Sequence, residues 1–137
     1  MAQVIDASIA VAWCAHSQAS PLTYAALAAV SQSGAHVPSP FWYEVLYALS
    51  GLELRRIIRA TDVDDFMADA MQMDFSIDPG HDTTAAVHLH HMARRHRLSI
   101  YDASYLELAL RLRLPLATRD ASLARAAEES GVALFTA

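Results

Sequence analysis

The chain has no lysine: its ten basic residues are all arginine. That absence removes every mechanism that requires a lysine. Cysteine is almost absent too, with Cys14 alone, so there is no disulfide within the chain and no cysteine-based zinc site. Cys14 reads as a small buried apolar residue on the first helix. No long hydrophobic run is present. The apolar stretch 9–15 is too short to span a bilayer, no basic segment precedes it, and Asp6 interrupts a signal-peptide reading, so a cytoplasmic protein with no membrane association is expected. Positive charge is scarce: a formal net charge of −5 argues against coating nucleic acid through bulk charge. Local arginine clusters remain open, and divalent cations held by the acids would offset much of the excess. What is present is 137 residues, 54% of them hydrophobic, enough for one domain (1–137) with a substantial core.

Short apolar strands are expected at 4–5, 35–37, 75–77, 116–117 and 132–135, and helical patterns fill the intervals between them. This alternation predicts an α/β fold with a mainly parallel sheet of about five strands, covered by helices on both faces. Ser20-Pro21 reads as an N-cap followed by proline at the first helical position, and Gly34 ends that helix. Pro38 and Pro40 bracket the turn into a strongly apolar helix at 41–49. Thr61 with Asp64 resembles a capping box for the next helix, and Asp78-Pro79-Gly80 is turn chemistry.

The tripeptide Asp-Ala-Ser occurs three times, at Asp6, Asp102 and Asp120, each time at an expected helix start. A helix cap explains each aspartate taken alone. In a parallel sheet, however, residues just beyond the strand ends converge on one rim, which brings these acids together. Glu44 is the only charge within 41–49. A carboxylate there is either a surface residue between two apolar stripes or a group that needs a hydrogen bond, a cation or a metal. Its extra methylene lets it reach from a helix into a site whose other acids lie at strand ends. Crowded carboxylates repel and raise one another's pKa, and a hard divalent cation such as Mg²⁺ or Mn²⁺ makes such a cluster tolerable. That ion would orient a phosphodiester, activate water and stabilise the leaving oxygen.

Other residues carry weaker signals. His88 and His91 share a helix face but lack an evident third metal ligand, so surface or packing roles are expected for them. Arg94, Arg95 and Arg97, just before Asp102, are candidate phosphate contacts or partners of a helix C-terminus, and Arg119 beside Asp120 is a further phosphate-contact candidate.

Residues 4–8, 43–49, 101–109 and 117–127, read in order, resemble the four acidic motifs of PIN domains, and the Tyr-Asp-Ala-Ser-Tyr-Leu block resembles most the VapC-type toxins of bacterial type II toxin–antitoxin pairs. The resemblance implies a three-layer α/β/α sandwich and a metal-dependent endoribonuclease. It matches Asp6, Glu44, Asp102 and Asp120 to the family's catalytic, metal-binding acids, and Ser8 and Thr118 to its supporting hydroxyls. It further implies an RNA substrate, a cognate antitoxin and a homodimer. One departure stands out: Tyr47 occupies a position where the family often has asparagine. Phe41, Trp42 and Tyr47 either pack in the core or line a partner groove, and core packing is the expectation. Two competitors are a catalytically silent binding module of the same fold and a phosphoacceptor signalling domain. Asp6 without an acidic neighbour and a chain without lysine disfavour the second.

Overall fold

The computed structural model describes residues 2–80 and 82–137. Its elements in chain order are β1 (Gln3–Ile5), α1 (Ala7–Cys14), a 3-10 turn (His16–Gln18), α2 (Pro21–Ser33), β2 (Ala35–Val37), α3 (Phe41–Leu54), α4 (Ala60–Ala70), β3 (Phe75–Ile77), α5 (Thr83–His96), α6 (Ile100–Leu112), β4 (Leu116–Ala117) and α7 (Ala121–Glu129). The four strands form one parallel sheet in the order β3-β2-β1-β4. The stretch 132–135, expected as a fifth strand, makes a single parallel bridge from Leu134 to Leu116. Parallel strands need crossover connections, and the helices supply them.

The chain winds from β1 outward through β2 to β3, then returns to place β4 on the other side of β1. Strand order therefore reverses between β1 and β4, and the carboxyl ends of those strands open a crevice. Asp6 follows β1 directly, and Thr118 follows β4. This topology positions the candidate site.

The core explains why such short strands hold. Val4, Ile5, Val37, Leu116 and Ala117 are all fully buried. Helix α1 is almost wholly apolar, and its alanines let α2, α3 and α4 approach it closely. Helix α6 packs against α5 and α7 and rests on β1 and β4, burying Leu106 and Leu108. Trp42 meets Phe41 and Phe75 edge-to-face, and the Phe41 and Phe75 rings lie tilted to each other, a cluster joining the start of α3 to β3. Tyr47 does not join it: four-fifths of its surface faces solvent, because the apolar face of α3 is carried by Phe41, Val45, Leu49 and Leu52 at helical spacing.

Helix ends follow local chemistry, with two departures from expectation. Ser20 and Thr23 form a reciprocal capping box at α2, with Pro21 at the first helical position. Helix α4 opens earlier than the Thr61 reading, at Ala60. There the Asp62 carboxylate, not that of Asp64, accepts the Arg59 backbone N–H at 2.9 Å and pairs with its guanidinium at 3.2 Å. Helix α6 also opens early, at Ile100, because Ser99 accepts the Asp102 N–H at 3.0 Å and takes the cap. Asp102 thus lies within the first turn rather than ahead of it.

Candidate active site

Two turns at the strand ends and two helices deliver the candidate residues. Asp6 caps α1 and is 4% exposed. Its Oδ1 accepts the Ser8 hydroxyl at 2.6 Å and the Ile9 N–H at 3.3 Å, and its Oδ2 accepts the Thr118 hydroxyl. The direction of those bonds is fixed by the backbone. Thr118 Oγ1 accepts the Asp120 N–H at 2.9 Å, and Ser8 Oγ accepts the Arg119 N–H at 3.0 Å, so each hydroxyl proton is free to point at Asp6. The turn after β1 is thereby laced to the turn after β4 through one carboxylate.

Asp120 caps α7, its Oδ1 accepting the Leu123 N–H at 2.9 Å, and its side chain borders solvent. Asp102, half-buried on the first turn of α6, has its own N–H satisfied by Ser99, whose hydroxyl also lowers the Asp102 carboxyl against the effect of burial. Glu44, on the first turn of α3, is half-buried, and its Oε1 accepts the Tyr105 hydroxyl at 2.8 Å. Tyr105 escaped the sequence reading. It is 1% exposed, three residues beyond Asp102 and so on the same side of α6, and a hydroxyl on an otherwise apolar helix face was the available signal.

The acids feel one another's charge. Burial pushes Asp6 up to about 6, against the lowering effect of its hydroxyl and N–H donors, and the charge of Asp102 adds to the rise. Burial also raises Glu44, opposed by the Tyr105 hydrogen bond and reinforced by Asp102 and Asp6. Asp102 is raised by burial and then by Asp120. Burial and the neighbouring Glu44 carboxylate hold the Tyr105 phenol protonated, as a fixed donor. The four acids named from the sequence therefore form one electrostatic group.

Arg119 lies on the same rim, its guanidinium donating to Gln18 Oε1 at 2.7 Å and to the Ser8 carbonyl at 3.5 Å. Arg94, Arg95 and Arg97 are exposed at the end of α5, Arg94 beside His90 at 2.8 Å, and no hydrogen bond or ion pair among the described residues joins them to the acids. His88 and His91 are exposed on α5 and build no metal cluster with the other described residues.

The donor set at the rim is entirely anionic oxygen, which suits a hard divalent cation, and the rise of Asp6, Glu44 and Asp102, caused first by burial and then by neighbouring carboxylates, is the electrostatic demand such an ion answers. Among the described residues no three carboxylates stand close enough to form a closed cage as placed. Both Asp6 oxygens are taken by hydroxyls, and repulsion favours separation of the others. Asp102 and Asp120, with more exposed carboxylates than Asp6, are the members freest to adjust toward an ion.

Beyond Glu44 the rim opens into a cleft of about 1110 Å³ between α1 and α3. Ser8, Glu44, Tyr101 and Arg119 line its end at the acids, and Tyr47 and Leu54 line its length. Among the described residues, no helix is long and apolar enough to cross a membrane.

Comparison with solved structures finds the same fold in the crystal structure of PAE2754 from Pyrobaculum aerophilum, with a TM-score of 0.62 and 20% identity over 92% of this chain and 84% of that one. No curated protein gives a significant match. The model of the PIN domain matches residues 4–129, from the first strand to the end of α7, a span that includes all four acids. This chain therefore belongs to the PIN domain family, whose fold is of nuclease type.

Proposed function

We propose that the protein is a metal-dependent endoribonuclease that hydrolyses RNA phosphodiester bonds, acting in the cytoplasm as the toxin of a toxin–antitoxin pair. The observation that carries the nuclease reading is the coupling of Asp6, Glu44, Asp102 and Asp120 into one group at the strand-order reversal, with Asp6 held by two hydroxyls whose protons point at it. Family membership supports it at the level of fold and general chemistry. The toxin role, a cognate antitoxin and a homodimer rest on the motif resemblance.

Asp6, Asp102 and Asp120 would hold Mg²⁺, with Mn²⁺ as a substitute, and Glu44 would complete the site or orient the attacking water. When bound, the ion supplies Lewis-acid stabilisation of the charge on the phosphate and a water activated at neutral pH. The chain's own groups do the rest. Ser8 and Thr118 fix the orientation of the Asp6 carboxylate. Tyr105 fixes Glu44. Arg119 offers a cation to a phosphate beside the acids.

The test is to incubate wild type and Asp102→Asn with total bacterial RNA in Mg²⁺, Mn²⁺ or chelator and to sequence the new 5′ ends. Discrete cuts that need both metal and Asp102 are expected. Cuts that persist in Asp102→Asn overturn the role given to that acid, and a folded protein that cuts nothing moves the reading to a silent binding module. Induced expression tests the toxin role separately: wild type should arrest growth and Asp102→Asn should not.

A further inference from the structure

The sequence around each rim acid on a helix repeats one feature. Tyr43 immediately precedes Glu44, and Tyr101 immediately precedes Asp102. Both rings face outward: Tyr43 is 82% exposed, Tyr101 is 54% exposed, and Tyr47, one helical turn beyond Tyr43, is 84% exposed. None of the three packs in the core, and all three line the cleft that starts at the acids. Residues one turn apart on a helix bring their Cβ atoms within about 5–6 Å, so Tyr43 and Tyr47 offer neighbouring rings on one face of α3.

Charge separates the candidate occupants. Apart from Glu44, the charged residues lining the cleft are Arg55 and Arg119, both cations, in a chain whose net charge is negative. Their hydrogen bonds go to Gly51, Ser8 and Gln18, and neither is neutralised by an ion pair among the described residues. A wholly apolar partner would cover these two cations without compensating them. Aromatic faces flanked by arginines match an unpaired nucleic-acid strand, whose bases present π-faces and whose backbone is anionic.

We infer that Tyr43, Tyr47 and Tyr101 stack unpaired bases of the RNA beside the phosphodiester at the acid rim, with Arg55 and Arg119 on its phosphates, so that the cleft selects single-stranded or loop RNA. The inference rests on the nuclease reading for its choice of ligand, but its test does not depend on cleavage. A duplex hides the faces of its bases and cannot use the platform.

The experiment measures binding of a short fluorescently labelled single-stranded RNA by anisotropy, in chelator so that nothing is cut. The proteins compared are wild type, Tyr43→Ala/Tyr47→Ala and Tyr43→Phe/Tyr47→Phe. Because both side chains are exposed, all three should share one circular-dichroism spectrum and melting transition. Alanine should weaken binding at least about 10-fold, whereas phenylalanine, which keeps the ring, should stay within about two-fold of wild type. A duplex of the same sequence should bind weakly to all three. With metal restored, the alanine pair should raise KM and leave kcat in place. Wild-type affinity in the alanine pair, or no binding of single strands by wild type, overturns the inference. A variant that leaves RNA affinity intact but changes the oligomeric mass overturns it in favour of an interface between copies of the chain. The two readings fail separately. Tyrosine-dependent binding without any cutting keeps the platform and sinks the nuclease, whereas Asp102-dependent cutting with an unaltered KM in the alanine pair does the reverse.

Discussion

Thr118 and Tyr105 show how single hydroxyls set the state of the acids. Thr118 accepts from the Asp120 backbone and donates to Asp6, and Tyr105 donates to Glu44. Replacing Thr118 by valine keeps the shape, strips Asp6 of a donor and leaves the Asp120 N–H without its partner. We expect a loss of about 1–3 kcal/mol in chemical denaturation. Such supporting contacts typically tune metal affinity or activity by about 10- to 100-fold, so Thr118→Val should lose that much RNA cleavage and Thr118→Ser should recover most of it. Tyr105→Phe removes the bond that holds Glu44 down, so the pKa of Glu44 rises further and the acid limb of the pH–rate profile should move to higher pH, with the fold retained. Asp6, Glu44 and Asp120 were legible because each stands out locally, as a charge at the end of an apolar strand or inside an apolar helix. Tyr105 was not, because its partner lies 61 residues away and only tertiary packing pairs them.

At the level of elements, four helices end alike. Helices α3, α5, α6 and α7 finish on a left-handed residue, Arg56, Arg97, Arg113 and Gly131, followed by an apolar one, Ile57, Leu98, Leu114 and Val132. In each, the N–H of the apolar residue reaches back to the carbonyl five positions earlier, as in Leu114 to Ala109 at 3.1 Å and Val132 to Ala127 at 2.9 Å. Of the four left-handed residues only Gly131 follows from residue type, since glycine adopts that conformation without strain and arginine does not. Arg113→Gly should therefore raise stability by up to about 1 kcal/mol, read as a higher melting temperature with RNA cleavage unchanged. Ser99→Ala removes the cap of α6 and should cost about 1 kcal/mol, and, by taking away the serine hydrogen bond that lowers Asp102, it should push that carboxyl further up. The start of α6 was misplaced in the sequence reading because the Asp-Ala-Ser repeat drew the cap to Asp102. Ser99, three residues earlier, satisfies the Asp102 N–H first.

The whole molecule carries the balance between acid repulsion and fold stability. Asp6 titrates near 6 when folded against a usual 3.8, so between those values the folded protein holds a proton that the unfolded chain releases. The stability tied to this group is fully present below about pH 4 and is lost as pH rises through 6, about 3 kcal/mol in all. Asp102 and Glu44, raised in the same direction, act with the same sign. Metal-free Asp6→Asn should show a shallower fall in melting temperature across that window than wild type does. Mg²⁺ should raise the melting temperature above pH 6 and have little effect below pH 4, because it binds the ionised acids.

Most of the architecture was readable from the alternation of short apolar strands with helices and from the punctuation at Ser20-Pro21, Gly34 and Asp78-Pro79-Gly80. The exposure of Tyr47 was not, because an aromatic in an apolar run reads as core until the facing helix is known. The same holds for the cleft, which exists only once α1 and α3 pack together.

The central claim, that the acid rim cuts RNA through a divalent cation, is tested most directly by the cleavage rate of one mapped RNA as Mn²⁺ is titrated into wild type and Asp102→Asn. A wild-type rate that climbs to saturation with the metal, against a loss of about 100-fold or more in the variant, is the predicted result. A wild-type rate indifferent to chelator, or an Asp102→Asn rate that follows the wild-type curve, would contradict it.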